Sequence, residues 1–403
     1  MKKRILACVI ACTLLLGGCT SPLDVLTLFT NDTYDCDKYL SEYEDRWQYS
    51  TLTAEEKEFY GCLYTAVTDT MAKDVHITYT DEQNQSVQIP GVRVEMDTIE
   101  LTHDRIIHLY EAFFDDNPQF FYLDRTYSLE GRQKPSGTTY YNTLILQYSL
   151  SATQRQNQAA KLNQTVETIL AGRPVTDDEY ITELYLHDQL NTICTYDTEA
   201  ADNDAEKAPN AYTAYGALVE GKAVCEGYAK AIQLLLQRVD IPATLTTGTA
   251  KENNESHMWN LVTIHGQNYF LDATWNDIRD QGQHTFFNIT TEQMLASCMP
   301  DDPSELPLCT ATADNIFIRT QTMIDTYERQ TIAQKIADRI REGDTTVQLC
   351  FEEGKYENGV LFLKNKNLLT SMVNGFLVNS QATMWEYELW ADTAQRVLTL
   401  VKK

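Results

Sequence analysis

Between Gly221 and Trp275 the hydrophobic pattern changes period from helical to alternating, and this constrains the fold more than any other feature. From Cys225 onward Ala231, Ile232, Leu234, Leu235, Leu236 and Val239 recur at helical spacing until Ile241-Pro242 ends the run. Ser256–Ile264 and Tyr269–Trp275 read as strands, with His265-Gly266 as a tight two-residue turn between them. The segment predicts a helix that opens on a cysteine, followed by an antiparallel hairpin. With His265 and Gly266 at the centre of the turn, His257 faces Thr274, and Asp272 is its diagonal neighbour on the same face.

These positions suit one chemistry. A cysteine in a first helical turn meets the positive end of the helix dipole, which favours thiolate, the form that attacks carbonyls. A histidine on an adjacent strand can take its proton, and a carboxylate on the other ring nitrogen fixes the tautomer. Singly, each residue has a plainer reading: a helical cysteine is usually a small buried hydrophobe, and a strand histidine a satisfied polar group. Together, Cys225, His257 and Asp272 form a candidate catalytic set. The backbone N–H of Cys225 is the natural oxyanion donor, and the second donor is open. Trp259, Trp275 and Tyr228 are candidate substrate-lining residues, with core packing as the equal alternative for the tryptophans. Glu226 either lines the cleft or supports the helix start, and Gly227 allows close backbone packing. No zinc-type C-x-x-C and no calcium-loop pattern occurs, so no metal and no cofactor are expected.

The blocks Gly221-x-x-Val224-Cys225-Glu226-Gly227-Tyr228-Ala229, Ile241-Pro242-Ala243 with Gly248, His257-x-Trp259-Asn260 and Asp272-x-Thr274-Trp275-Asn276-Asp277 occur in order. Asn210–Asp277 thereby resembles the transglutaminase-like core of the papain-like cysteine protease superfamily. His187-Asp188-Gln189-Leu190 and Tyr196-Asp197 are similar to the lead-in of that core, and the likeness runs from the helix near Tyr180 to the strand near Asn288. The resemblance implies an α+β papain-like/transglutaminase fold, with a nucleophile helix packed on an antiparallel sheet. It also implies Cys225 as nucleophile, His257 as general base and Asp272 as orienting acid. His187 and Asp188 are read as structural.

The start of the chain is a targeting signal: Lys2, Lys3 and Arg4, an apolar run Ile5–Leu16, then Gly17-Gly18-Cys19. It resembles a bacterial lipobox, so residues 1–18 are expected to be removed and Cys19 to be lipidated. An ordinary secretory signal is the alternative. Residues 19–50 read as a tether, 51–172 as an N-terminal α+β unit, 173–299 as the catalytic core and 300–403 as a C-terminal α+β unit. Of the ten cysteines, Cys36, Cys62, Cys194, Cys225, Cys298, Cys309 and Cys350 remain, an odd number, with Cys36/Cys62 and Cys298/Cys309 able to pair.

Asp and Glu number 58 against 32 Lys and Arg, a net charge of -26, which argues against nucleic acid as a partner. The reading is an extracytoplasmic protein, anchored to the cell membrane through Cys19. It would perform thiol acyl transfer on peptide or glutamine-type amides, as protease, deamidase or transglutaminase, with peptide or protein substrates that include cell-wall peptides. The alternative is a non-catalytic surface binding or scaffold module that keeps the cleft. A cytoplasmic redox role is disfavoured by the signal and by the lack of C-x-x-C.

Overall fold

The computed structural model describes residues 34–80, 86–202, 208–278, 283–304 and 306–403. The signal segment and Cys19 lie outside the described residues, as do residues 203–207 of the acidic stretch 201–208. Among the described residues no helix is long and apolar enough to cross a membrane. Contacts divide the chain into two compact units: the chain up to Val175 with Ile193–Leu245, and Thr176–Thr192 with Thr246–Lys403.

In the first unit the helix Ala54–Thr70 begins at a capping box. Glu56 N–H donates to the Thr53 hydroxyl, and Thr53 N–H returns a bond to the Glu56 carboxylate at 2.8 Å. An antiparallel sheet follows in the order His76–Thr80, Ser86–Glu95, Thr139–Tyr148, Leu123–Gln133. The strand Leu123–Gln133 carries a register shift between Leu123 and Tyr127. Phe59, Leu63 and Val67 from the helix Ala54–Thr70, Ile106, Leu109 and Phe113 from the helix His103–Asp116, and Leu144 and Leu146 from the sheet build one core.

Residues 34–50 do not form a tether. Tyr43 and Tyr49 are buried in that core, Tyr34 and Tyr39 pack against it, and a Cys36–Cys62 disulfide ties the segment to the helix. The polar composition hid this, because the segment contributes mainly aromatic rings, with Leu40 as its aliphatic contact. Cys298 and Cys309 are buried and do not form the disulfide the sequence allowed.

The boundary expected at 172 also moves. The helix Cys225–Gln237 compacts with the N-terminal residues: Gln233 donates to Asp115 O at 3.0 Å and Gln237 to Asp116 O at 3.2 Å, and beyond the helix Gln48 donates to Thr244 at 3.1 Å.

The second unit holds two four-stranded sheets. One runs Cys298–Pro300, Ala243–Ala250, Ser256–Ile264, Gln267–Leu271, and its strand Ala243–Ala250 starts just before the unit boundary in residue order. The other runs Met323–Ile324, Thr346–Phe351, Val397–Lys402, Tyr387–Asp392, with the helices Arg329–Glu342, Tyr356–Lys364 and Lys366–Leu377. Its core includes Ile332, Ile336, Val347, Leu349, Leu369, Val373, Leu398 and Leu400. The helical run from Tyr356 to Leu377 is two helices. Asn365 breaks it, its side chain capping Leu368 N–H at 3.2 Å.

Candidate active site

Cys225 is the first residue of its helix. Its N-cap, Val224, is extended and offers no side-chain acceptor, so the helix start keeps its dipole uncompensated by a cap. Two backbone anchors set this position. Val224 N–H donates to Ala211 O at 3.0 Å, and Thr195–Tyr196 pairs in parallel with Lys222–Ala223 just upstream. Gly227 is required by the packing: a Cβ there would stand 2.5 Å from Ala211 O and 2.7 Å from Ala223 Cβ. Cys225 is the one partly exposed free cysteine among the described residues, while Cys194, Cys298, Cys309 and Cys350 are buried. Burial pushes the thiols of Cys309 and Cys350 up, to about 11 and about 12.

Glu226 turns away from substrate duty. Its carboxylate is buried and bonded to Lys230 Nζ at 2.7 Å and to the Arg125 guanidinium. Burial opposes its ionisation, but the two cations outweigh this and lower its pKa.

In the second unit, Ile264 pairs with Gln267 across His265 and Gly266, both in the left-handed region, which is the hairpin turn expected. The ladder ends at Asn260↔Leu271, three residues short of the predicted His257/Thr274 pairing. Residues 273–278 are a helix, not strand. The cause is Asp272: its Oδ1 accepts Trp275 N–H at 2.9 Å and caps the new helix. Its Oδ2 lies 2.6 Å from His257 Nε2, and the carboxylate is fully buried. One carboxylate thus ends the strand, starts the helix and holds the imidazole. A proton placed on Nε2 by Asp272 leaves the lone pair of the neutral ring on Nδ1.

The structure brings His257 and Asp272 together as the sequence suggested, and carries Cys225 on the other unit. Trp275 stacks on His257 with ring centroids 4.3 Å apart and planes 8° apart, and Trp259 lies 5.8 Å away at 23°. The substrate-lining expectation for Trp259, Trp275 and Tyr228 is corrected by burial: none is more than 3% exposed, so the rings face protein, not ligand. Gly248, part of the motif, leaves room for Trp259, whose ring would meet an added Cβ at 2.7 Å. Asn276 accepts Phe286 N–H at 2.7 Å and reaches His187 Nε2 at 3.0 Å. His284, which bonds Asp188 at 2.7 Å, was not singled out by sequence; nothing local marks a residue so far from Asp188 in the chain.

Residues 172–273 match the sequence profile of the Transglutaminase-like superfamily, so the chain carries a transglutaminase-like domain of mixed α and β structure with antiparallel sheets. Similar solved structures include a TGase at 15% identity, covering 47% of this chain and 55% of that one, with a TM-score of 0.27. A candidate cysteine protease from Cytophaga hutchinsonii has 16% identity, coverage of 48% and 70%, and a TM-score of 0.25. A candidate protease from Parabacteroides distasonis has 11% identity, coverage of 35% and 30%, and a TM-score of 0.19. The chain thus spans little more than half of the TGase, and at these TM-scores the likenesses carry no argument. No protein of curated function matches the chain.

Proposed function

We propose that this protein is a thiol acyl-transfer enzyme acting on peptide or glutamine-type amides, with Cys225 as nucleophile, His257 as general base and Asp272 as orienting acid. The observation that carries the reading is the buried His257–Asp272 pair at 2.6 Å within a transglutaminase-like domain that also presents a partly exposed cysteine at a helix start. In the reaction Cys225 Sγ bonds to the substrate carbonyl carbon as its proton passes to His257. The proton then leaves with ammonia or an amine, and a thioester remains. Water completes a hydrolysis, and an amine completes a transamidation. The Cys225 N–H, at the helix start, is placed in the chain to donate to the oxyanion. We place the enzyme outside the cytoplasm, held to the membrane through lipidated Cys19, with wall peptides or surface proteins as substrates.

The test uses the full chain with an iodoacetamide probe and with wall extracts, scored for amine incorporation and ammonia release. Cys225→Ala is expected to lose the probe label and all turnover. His257→Ala is expected to slow alkylation of Cys225 at neutral pH. Turnover that survives Cys225→Ala ends the mechanism. Alkylation that tracks an ordinary thiol and ignores His257 would favour a binding module that keeps the fold without chemistry.

A further inference from the structure

The helix Glu179–Ile193 carries His187 and Asp188, which the proposed reaction does not use, yet both enter a polar chain within the second unit. His187 is fully buried. Its Nδ1 lies 2.9 Å from Asp188 Oδ1, and the same oxygen lies 2.7 Å from His284 Nε2. On its other side, His187 Nε2 faces Nδ2 of Asn276 at 3.0 Å and Nδ2 of Asn191 at 3.3 Å.

The direction of each bond follows from one backbone group. Phe286 N–H donates to Asn276 Oδ1 at 2.7 Å, so the amide of Asn276 must turn its NH₂ towards His187. His187 Nε2 is then an acceptor. Burial draws the His187 pKa down and keeps the ring neutral, so its single proton sits on Nδ1 and is donated to Asp188. Burial works against the Asp188 carboxylate, but the two imidazoles outweigh it and hold its pKa well below the usual range.

This assignment decides between two readings. His187, Asp188 and His284 place three ligand-type atoms within 4.8 Å of one another, as a divalent ion would need. A ligating histidine normally donates its second N–H to an oxygen. Were His187 to ligate through Nδ1, its Nε2–H would point at the amide N–H of Asn276, which Phe286 prevents from flipping. The cluster is built for a hydrogen-bond chain and not for a metal.

The chain ends beside the candidate site. Asn276 belongs to the helix Ala273–Ile278, and its N–H donates to Asp272 O at 3.2 Å. A helix of six residues has too few internal bonds to hold its own orientation. Its place is set by outside grips: Asp272 N–H to Phe286 O at 3.0 Å, Phe286 N–H to Asn276, and Asn276 to His187. We propose that Asn276 and His187, anchored by Asp188 and His284, are positioning residues that hold the Ala273–Ile278 helix so that Asp272 stays on His257. The catalytic meaning of this rests on the reaction proposed above; the positioning itself does not.

The experiment is proton NMR of the full chain with nitrogen-labelled histidine, following the low-field resonance of the His257–Asp272 hydrogen bond. The resonance is assigned by its loss in His257→Gln. Asn276→Leu and Asp188→Asn are expected to broaden or abolish it. His284→Ala is expected to weaken it, and His284→Gln, which keeps a donor for Asp188, to restore it. Iodoacetamide labelling of Cys225 should slow in step, by up to about 100-fold, the scale on which small misplacements act. Should Asn276→Leu fail to fold, Asp188→Asn carries the test, because that side chain is 46% exposed and leaves no core cavity. An unchanged resonance in these variants overturns the proposal. So does zinc that binds the metal-stripped protein and shifts the ring nitrogens of His187 and His284. If Cys225 of the parent chain alkylates as an ordinary thiol while the variants lose the resonance, the enzyme is sunk and the positioning stands; an activated Cys225 in the parent chain with an unchanged resonance in the variants does the reverse.

Discussion

At the scale of single residues, His257 is held on two sides by different forces. Asp272 fixes its tautomer through a hydrogen bond, and Trp275 fixes its plane by stacking at 4.3 Å. An aromatic contact of this kind is worth about 0.5–1.5 kcal/mol, so Trp275→Leu should slow neutral-pH alkylation of Cys225 about three- to tenfold. Circular dichroism should show the fold retained; an unaltered rate would mean that the ring only fills space. Asp116 gives a residue-scale prediction about stability. Its carboxyl accepts Gln48 N–H at 3.1 Å and Tyr49 N–H at 2.8 Å, yet burial wins over these bonds and raises its pKa to about 7. The unfolded value is about 3.9, so folding takes up a proton between the two values. The contribution is complete below pH about 4 and is lost as pH rises through 7, by up to about 4 kcal/mol on the linkage relation. The difference in urea midpoint between the parent chain and Asp116→Asn should therefore change with pH across this window. A difference independent of pH would contradict the shift.

At the scale of elements, helix ends were the most legible part of the sequence. Thr53/Glu56 wrote one cap, and the start at Ser151 is a second box with Gln154. The same local code misled at Asp272, where the alternation of Tyr269–Trp275 suggests a strand although Asp-x-Thr-Trp is also an N-cap. The carboxylate decides in favour of the cap because one of its oxygens is already committed to His257. One helix end was not legible at all. Arg155 is buried, stacks on Tyr148 at 4.0 Å, and donates to the carbonyls of Met71 at 2.9 Å, Leu150 at 2.6 Å, Thr70 at 3.3 Å and Lys73 at 2.8 Å. It thereby closes the C-terminal end of the helix Ala54–Thr70 from a partner 85 positions along the chain. Arg155→Met leaves these acceptors buried without donors. The expected loss is about 3–5 kcal/mol in urea unfolding, while a loss below about 1 kcal/mol would mean that water replaces the guanidinium.

At the scale of the whole molecule, the net charge of -26 sets the response to salt. Self-repulsion of that size opposes compaction and is screened over about 10 Å at 0.1 M ionic strength. The Tm should rise as sodium chloride is added from near zero to about 0.15 M, and most steeply at the start. A flat response would place the compensating Lys and Arg against the acidic groups more closely than the excess of 58 over 32 suggests. The chain by itself determined the hydrophobic periods, the His265-Gly266 turn and the order of the motif blocks, because each is written within a few residues of contiguous chain. Tertiary structure decided what those blocks do. Asp272 became a cap as well as a partner for His257, the tryptophans became walls of an imidazole, and residues 34–50 joined a core through aromatic rings and a disulfide. It also set the helix of Cys225 in one compact unit and the His257–Asp272 pair in the other. The physical reason is that burial and long-range hydrogen bonds depend on partners distant in the chain, and no local pattern encodes such a partner.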